Sequence, residues 1–236
     1  MRRRAFYRSL VCLGFIVLAA AACIGYLVLR VPTTYARVTV PTGPERRKLS
    51  GEFVSGVNEM MATIEKNDGH WNETFSADQM NSYFEEHFLG AMPFHLPEGV
   101  HSPRVRIDPS RFTLAFRYGR GFWSTVVSVE MNVWLVAGER NAVAVEVLGV
   151  HAGSMPISVQ SFLEQVAENA RQLSIEVTWY RRDGNPVALL RFQPDQENPT
   201  FVLQKLELQD GKLIIAGKSN ETAPLRTMIS MLATRP

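Results

Sequence analysis

The stretch FWSTVVSVEMNVWLVA, residues 122–137, alternates apolar and polar residues almost without fault. Trp123, Thr125, Val127, Val129, Met131, Val133 and Leu135 share one face, while Ser124, Ser128, Glu130 and Asn132 dominate the other. A period of two over that distance is the pattern of a half-buried antiparallel strand. At ~3.3 Å per residue it would extend roughly 50 Å, well beyond the usual strand. So long an apolar face needs an equally long cover, and the nature of that cover is the main functional question.

Neighbouring segments supply strands to pair with it. Arg111 to Tyr118 sets Phe112, Leu114, Phe116 and Tyr118 against Arg111, Thr113, Ala115 and Arg117, and Gly119-Arg120-Gly121 makes a short connection consistent with a hairpin. Beyond a turn at Gly138 to Asn141, Val143, Val145 and Val147 continue the alternation. These three strands form an antiparallel meander with one buried face. Later, Ile175, Val177 and Trp179 restart the pattern, and Pro186 to Phe192 reads as a short strand. Leu206 and Leu208, then Asp210-Gly211, then Leu213 and Ile215 carry the clearest hairpin signal, because Asp-Gly suits the type I′ turn.

Three amphipathic helices accompany the strands. Leu49, Phe53, Val57, Met60, Met61 and Ile64 recur at helical spacing between Glu45 and Lys66. Ser76 with Gln79 forms a capping box, and Phe75 and Met80 are placed as a hydrophobic staple, ahead of a face of Met80, Tyr83, Phe84, His87 and Phe88. Leu89 to Pro103 reads as loop. Phe162, Leu163, Val166, Ala167, Ala170 and Leu173 mark a third helix, capped at Ser158.

The N-terminus is of another kind. Leu10 to Leu29 is a charge-free apolar run of the length that crosses a bilayer core. Arg2, Arg3, Arg4 and Arg8 precede it, which places the N-terminus in the cytoplasm and the main domain outside by the positive-inside rule. An uncleaved anchor is the preferred reading, because IGYLVL stays apolar past the Ala19–Ala22 run; a cleaved signal and lipidation of Cys23 are its rivals. The chain thus divides into a cytoplasmic basic stub (1–9), a transmembrane helix (10–29), a proline-bearing tether (30–44), an extracytoplasmic α+β domain (45–221) and a C-terminal tail (222–236).

The formal net charge of +2 comes from the arginine cluster, since from Arg30 onward 21 basic residues face 23 acidic ones. That balance argues against a nucleic-acid surface. Both cysteines, Cys12 and Cys23, lie in the apolar run, so the domain has no disulfide, catalytic thiol or thiolate metal site. Glu85, Glu86, Glu164 and Glu168 fall on polar helix faces. His70, His87, His95, His101 and His151 form no i, i+4 pair, and His95 with His101 is too small a ligand set for a metal. No nucleophile elbow, P-loop or dinucleotide fingerprint is present. Asn72 and Asn220 head glycosylation sequons that matter only in a eukaryotic secretory pathway. We therefore expect no catalytic residues, no metal and no cofactor.

The order of an anchor, a tether, the capped helix FSADQMNSYFEEHF, long alternating strands and the Gly153-Ser-Met-Pro-Ile-Ser158 turn resembles the YpmS-like family of small single-pass bacterial membrane proteins. It is more distantly similar to tubular lipid-binding proteins in which a bent sheet wraps a long helix. The resemblance covers roughly Phe75 to Lys218 and implies an envelope location and lipid binding. It transfers no site residue. The expectation is an α+β domain, a curved antiparallel sheet on amphipathic helices, holding a lipid or other apolar ligand against Phe112, Phe116, Val127, Val129, Met131 and Val133. A bitopic scaffold or accessory subunit of an envelope complex is the alternative.

Overall fold

Of the central stretch, Thr125–Leu135 forms a strand, shorter than the alternation suggested, with Val136 and Ala137 already past its end. A computed structural model describes residues 18–20, 22–66, 69–87, 99–121, 124–160, 163–164, 176–192 and 199–219. Its helices are α1 (Thr33–Ala36), α2 (Gly43–Glu65) and α3 (Ala77–His87). Its strands are β1 (His70–Ser76), β2 (Val100–Asp108), β3 (Arg111–Tyr118), β4 (Thr125–Leu135), β5 (Ala142–Ala152), β6 (Met155–Pro156), β7 (Glu176–Arg182), β8 (Asn185–Arg191), β9 (Phe201–Gln209) and β10 (Lys212–Ser219). Residues 18–20 and 22–29, the end of the apolar N-terminal run, and residues 159–160 and 163–164 are also helical. The arginine stub, Cys12, Phe122, Trp123, His95, most of the third expected helix and the C-terminal tail lie outside the described residues.

The fold is α+β, with a seven-stranded antiparallel sheet ordered β2-β3-β4-β5-β8-β7, β6 pairing β5 off this path, and a three-stranded sheet ordered β1-β10-β9. The expected meander is β3-β4-β5, in which Phe112 faces Met131, Leu114 faces Val129 and Phe116 faces Val127. A bulge separates Glu130 from Met131: Glu130 pairs Gly149 and Met131 pairs Val147, so Leu148 is the extra residue. Without it Val147 and Val150 would fall on opposite faces; with it both join Val129 and Met131. The Asp210-Gly211 hairpin forms as expected, pairing Gln209 with Lys212, and Gly211 sits at φ +70°.

Two expectations need correction. Leu89–Pro103 is not wholly loop, because β2 begins at Val100 and carries Pro103 at a bulge between His101 and Arg104. An edge strand tolerates proline there, having no ladder bond to lose on its open side. Second, the meander does not bury one face alone. Val126 (1% exposed) and Ser128 (8%) lie on the face assigned to solvent. The segment between the apolar helix and α2, read from sequence as a tether, meets part of that face. It contains α1 and crosses that face: Thr34, Tyr35 and Val38 lie over Arg104, Thr113 and Ala115, and the Tyr35 hydroxyl donates to the Ser102 carbonyl at 2.8 Å.

The packed core sits between the sheets. Phe75, Met80, Val105, Ile107 and Leu208 are buried together, with Phe53, Val57, Phe84 and Phe112 against them. The capping box of α3 is formed, the Ser76 N–H donating to Gln79 Oε1 at 2.8 Å and the Gln79 N–H to Ser76 Oγ at 3.1 Å. The face of α3 that is fully buried, however, is polar as well as apolar: Asn81 and Ser82 are 0% exposed beside Met80. Asn81 Nδ2 donates to the Val105 carbonyl at 2.9 Å, and the Val105 N–H donates to Asn81 Oδ1 at 2.7 Å. One side chain thus acts as the missing neighbour of edge strand β2.

Candidate apolar cleft

The valine wall is built by β4 and β5. Val129, Val147 and Val150 are buried as one cluster, and Val127, Met131, Val159 and Leu163 pack on it. Of the residues expected to bind a ligand, Val127, Val129 and Met131 therefore come together. Phe112 belongs to the other core, beneath α2 and α3. Phe116 and Val133 are half-buried on β3 and β4. Val129 is 0% exposed, so it supports the wall from behind and offers no free surface.

The open space lies one step further along the sheet. A cleft of about 350 Å³ is bounded by Leu163, Trp179, Pro186, Gln160, Tyr180 and Arg181. Its size is at the lower end of small-molecule sites, and its walls are mainly apolar, as such sites require. Leu163 belongs both to this cleft and to the valine cluster, so the two are continuous. The β7–β8 hairpin shapes the far wall. Its Asp183-Gly184 turn has φ of 51° and 88°, the left-handed pair that an Asp-Gly hairpin adopts. Arg181 Nη1 donates to the Gly184 carbonyl at 3.2 Å, holding a cation at the rim. Trp179 and Leu163 were legible in the sequence only as apolar-face residues; their meeting depends on the order β5-β8-β7. The Asp183-Gly184 pair carried the same turn signature as Asp210-Gly211, so that hairpin was available to a sequence reading.

Among the described residues, two carboxyls are displaced from their ordinary values. Burial, and then the Glu59 carboxylate, raise the Glu73 carboxyl above its ordinary value. Glu207 is lowered by hydrogen bonds from Lys205 and Gln209, an exposed arrangement. Among the described residues no group of three or more His, Cys, Asp or Glu could hold a metal ion, and His101 Nδ1 instead contacts Ser102 Oγ at 3.2 Å.

At the other end of the chain, the stretch Leu18–Ala36 is long and apolar enough to cross a membrane, with mean hydropathy 1.3 and 0% buried. The helical turn that ends at Leu29 rests on the domain. The Ser154 N–H donates to the Leu27 carbonyl at 2.9 Å, and the Thr125 hydroxyl donates to the Val28 carbonyl. Carbonyls left over at a helix end are thereby satisfied by the sheet. Gly153 (φ +61°) permits this approach, since a Cβ there would collide with both carbonyl oxygens. No family model, curated protein or solved structure matches the chain.

Proposed function

We propose that this chain is a membrane-anchored, extracytoplasmic, non-enzymatic module that holds an apolar ligand, such as a lipid acyl chain, between its sheet and the helix starting near Val159. The observation that carries this reading is the apolar cleft at Leu163, Trp179 and Pro186, continuous with the valine wall. A polar rim of Gln160, Glu164 and Arg181 suits a molecule with an apolar body and a polar end. The direct contact between the domain and the end of the apolar helix keeps the domain close to the bilayer from which such a ligand would come.

The test is lipid extraction and mass spectrometry on the protein purified from its membrane. A stoichiometric co-purifying lipid that is lost in Leu163→Asp supports the reading. Absence of lipid, together with crosslinking in native membranes to one abundant envelope protein, would replace it with the accessory-subunit alternative.

A further inference from the structure

A second cleft lies where the apolar helix meets the sheet. It measures about 340 Å³ and is bounded by Arg30, Thr33 and Thr34 on one side and by Ser128, His151 and Ser154 on the other. It is more polar than the Leu163–Trp179 cleft: hydroxyls, an imidazole and a guanidinium line it beside Pro32 and Gly153. Glu130, the one carboxylate in its lining, is engaged by Arg111 Nη1 at 2.8 Å. Arg30 is exposed, and its backbone N–H still bonds Tyr26 in the helix at 3.0 Å. The cleft therefore begins one residue past the last apolar turn, beside the Leu27 and Val28 carbonyls. Ile24 and Tyr26, 50% and 65% exposed, lie just before it on the helix.

We propose that this cleft seats the phosphate of an anionic phospholipid from the leaflet that the helix leaves. The inference rests on the membrane-anchored reading above, and not on the acyl-chain ligand. A guanidinium offers its N–H fork to phosphate oxygens, and the hydroxyls of Thr33, Thr34 and Ser128 together with a histidine N–H supply further donors. A span ending at Leu29 puts Arg30 at headgroup depth, where its guanidinium can reach a lipid phosphate. The exposed flank at Ile24 and Tyr26 then gives the lipid tails an apolar surface to lie along. The domain would thus be held by its helix and also by a bound headgroup, which fixes its orientation on the bilayer.

The experiment uses the full chain in nanodiscs of phosphatidylcholine containing a minority of phosphatidylglycerol, with retained lipid counted by native mass spectrometry and the His151 imidazole followed by NMR. Wild type is expected to retain phosphatidylglycerol preferentially and to show a His151 shift that depends on it. Arg30→Gln should lower that retention about tenfold, the scale of one charge-assisted contact. His151→Ala should lower it less, Arg30→Lys should restore part of it, and Lys48→Gln, on the exposed face of α2 away from both clefts, should leave it unchanged. Equal retention of both lipids by wild type overturns the inference and leaves the anchor reading standing. A His151 shift produced by inorganic phosphate in nanodiscs of phosphatidylcholine alone, with no added shift from phosphatidylglycerol, assigns the cleft to free phosphate and overturns the lipid. A chain that does not enter the nanodisc overturns the anchor reading itself, and this inference with it.

Discussion

At the β2–β3 end of the large sheet, the apolar face is closed by α2, α3 and the β9–β10 hairpin. Val105 and Ile107 are each 2% exposed, and Phe53 meets Phe75 edge-on at 5.1 Å. At the β5–β8–β7 end the same face carries mostly valine and alanine, is met by Val159 and Leu163, and leaves a cleft. Aromatic rings fill space between layers and resist rearrangement, whereas a wall of short β-branched side chains forms a smooth surface. One end of the sheet is committed to stability, and the other leaves room.

Polar clasps sharpen the contrast. Asn81 ties α3 to β2 at the packed end, while Asn141, at the end of the β4–β5 turn, reaches β9. Asn141 Nδ2 donates to the Phe201 carbonyl at 2.6 Å, and the Leu203 N–H donates to Asn141 Oδ1 at 2.7 Å. Both side chains are almost fully buried, so each bond is made away from water. Removing one partner there leaves unsatisfied backbone groups, which costs more than the bond's net worth.

The largest effect is therefore expected from Asn81→Ala. It orphans the N–H and C=O of Val105 and should cost about 3 kcal/mol, read from denaturant midpoints. A cost under about 1 kcal/mol would mean that water replaces the clasp and that the packed end is looser than described. Gly153→Ala comes next: it adds about 1–2 kcal/mol of left-handed strain and a collision with Leu27 and Val28, relieved when the helix end lifts away. Faster trypsin cleavage after Arg30 and Arg37 is the expected readout, and unchanged cleavage would remove the docked helix end. Ser76→Ala should cost about 1 kcal/mol through loss of the capping box. Leu163→Ala at the cleft should cost less than about 1 kcal/mol, since half-buried Leu163 is already beside open space, while reducing ligand retention. If it costs as much as a core leucine, the cleft end is packed and the comparison fails.

The smallest effect concerns pH. The folded state raises the Glu73 carboxyl, so it binds that proton more tightly than the unfolded chain does. Stability from this group therefore increases as pH falls through the raised value toward the ordinary carboxylate value, and is lost as pH rises. Glu73→Gln should melt higher than wild type at neutral pH, with the gap narrowing in acid. A constant gap would show that Glu73 is not held beside Glu59 and the β1 face.

Much of the α+β architecture was local in origin and could be read from the chain. The β3–β4–β5 meander, the Asp210-Gly211 hairpin, the α2 stripe and the Ser76–Gln79 box each need only neighbours within a few residues or one turn. The apolar N-terminal stretch is a matter of composition. The burial of Asn81 and Asn141 was not legible, because a polar side chain on a helix or turn looks solvated until a distant strand edge meets it. Ser128 gave the same false impression, since Arg30, Thr33 and Thr34, which face it, come from about a hundred residues earlier in the chain.

The candidate sites divide in the same way. Alternation alone put Val127, Val129 and Met131 on one face. Only the tertiary order β5-β8-β7 brought Trp179 and Pro186 to Leu163, and only the docking of the helix end brought Arg30 to His151. Periodicity specifies which face of an element seeks cover, because it depends on the backbone repeat. Which cover arrives, and how much space it leaves, depends on contacts between residues far apart in sequence.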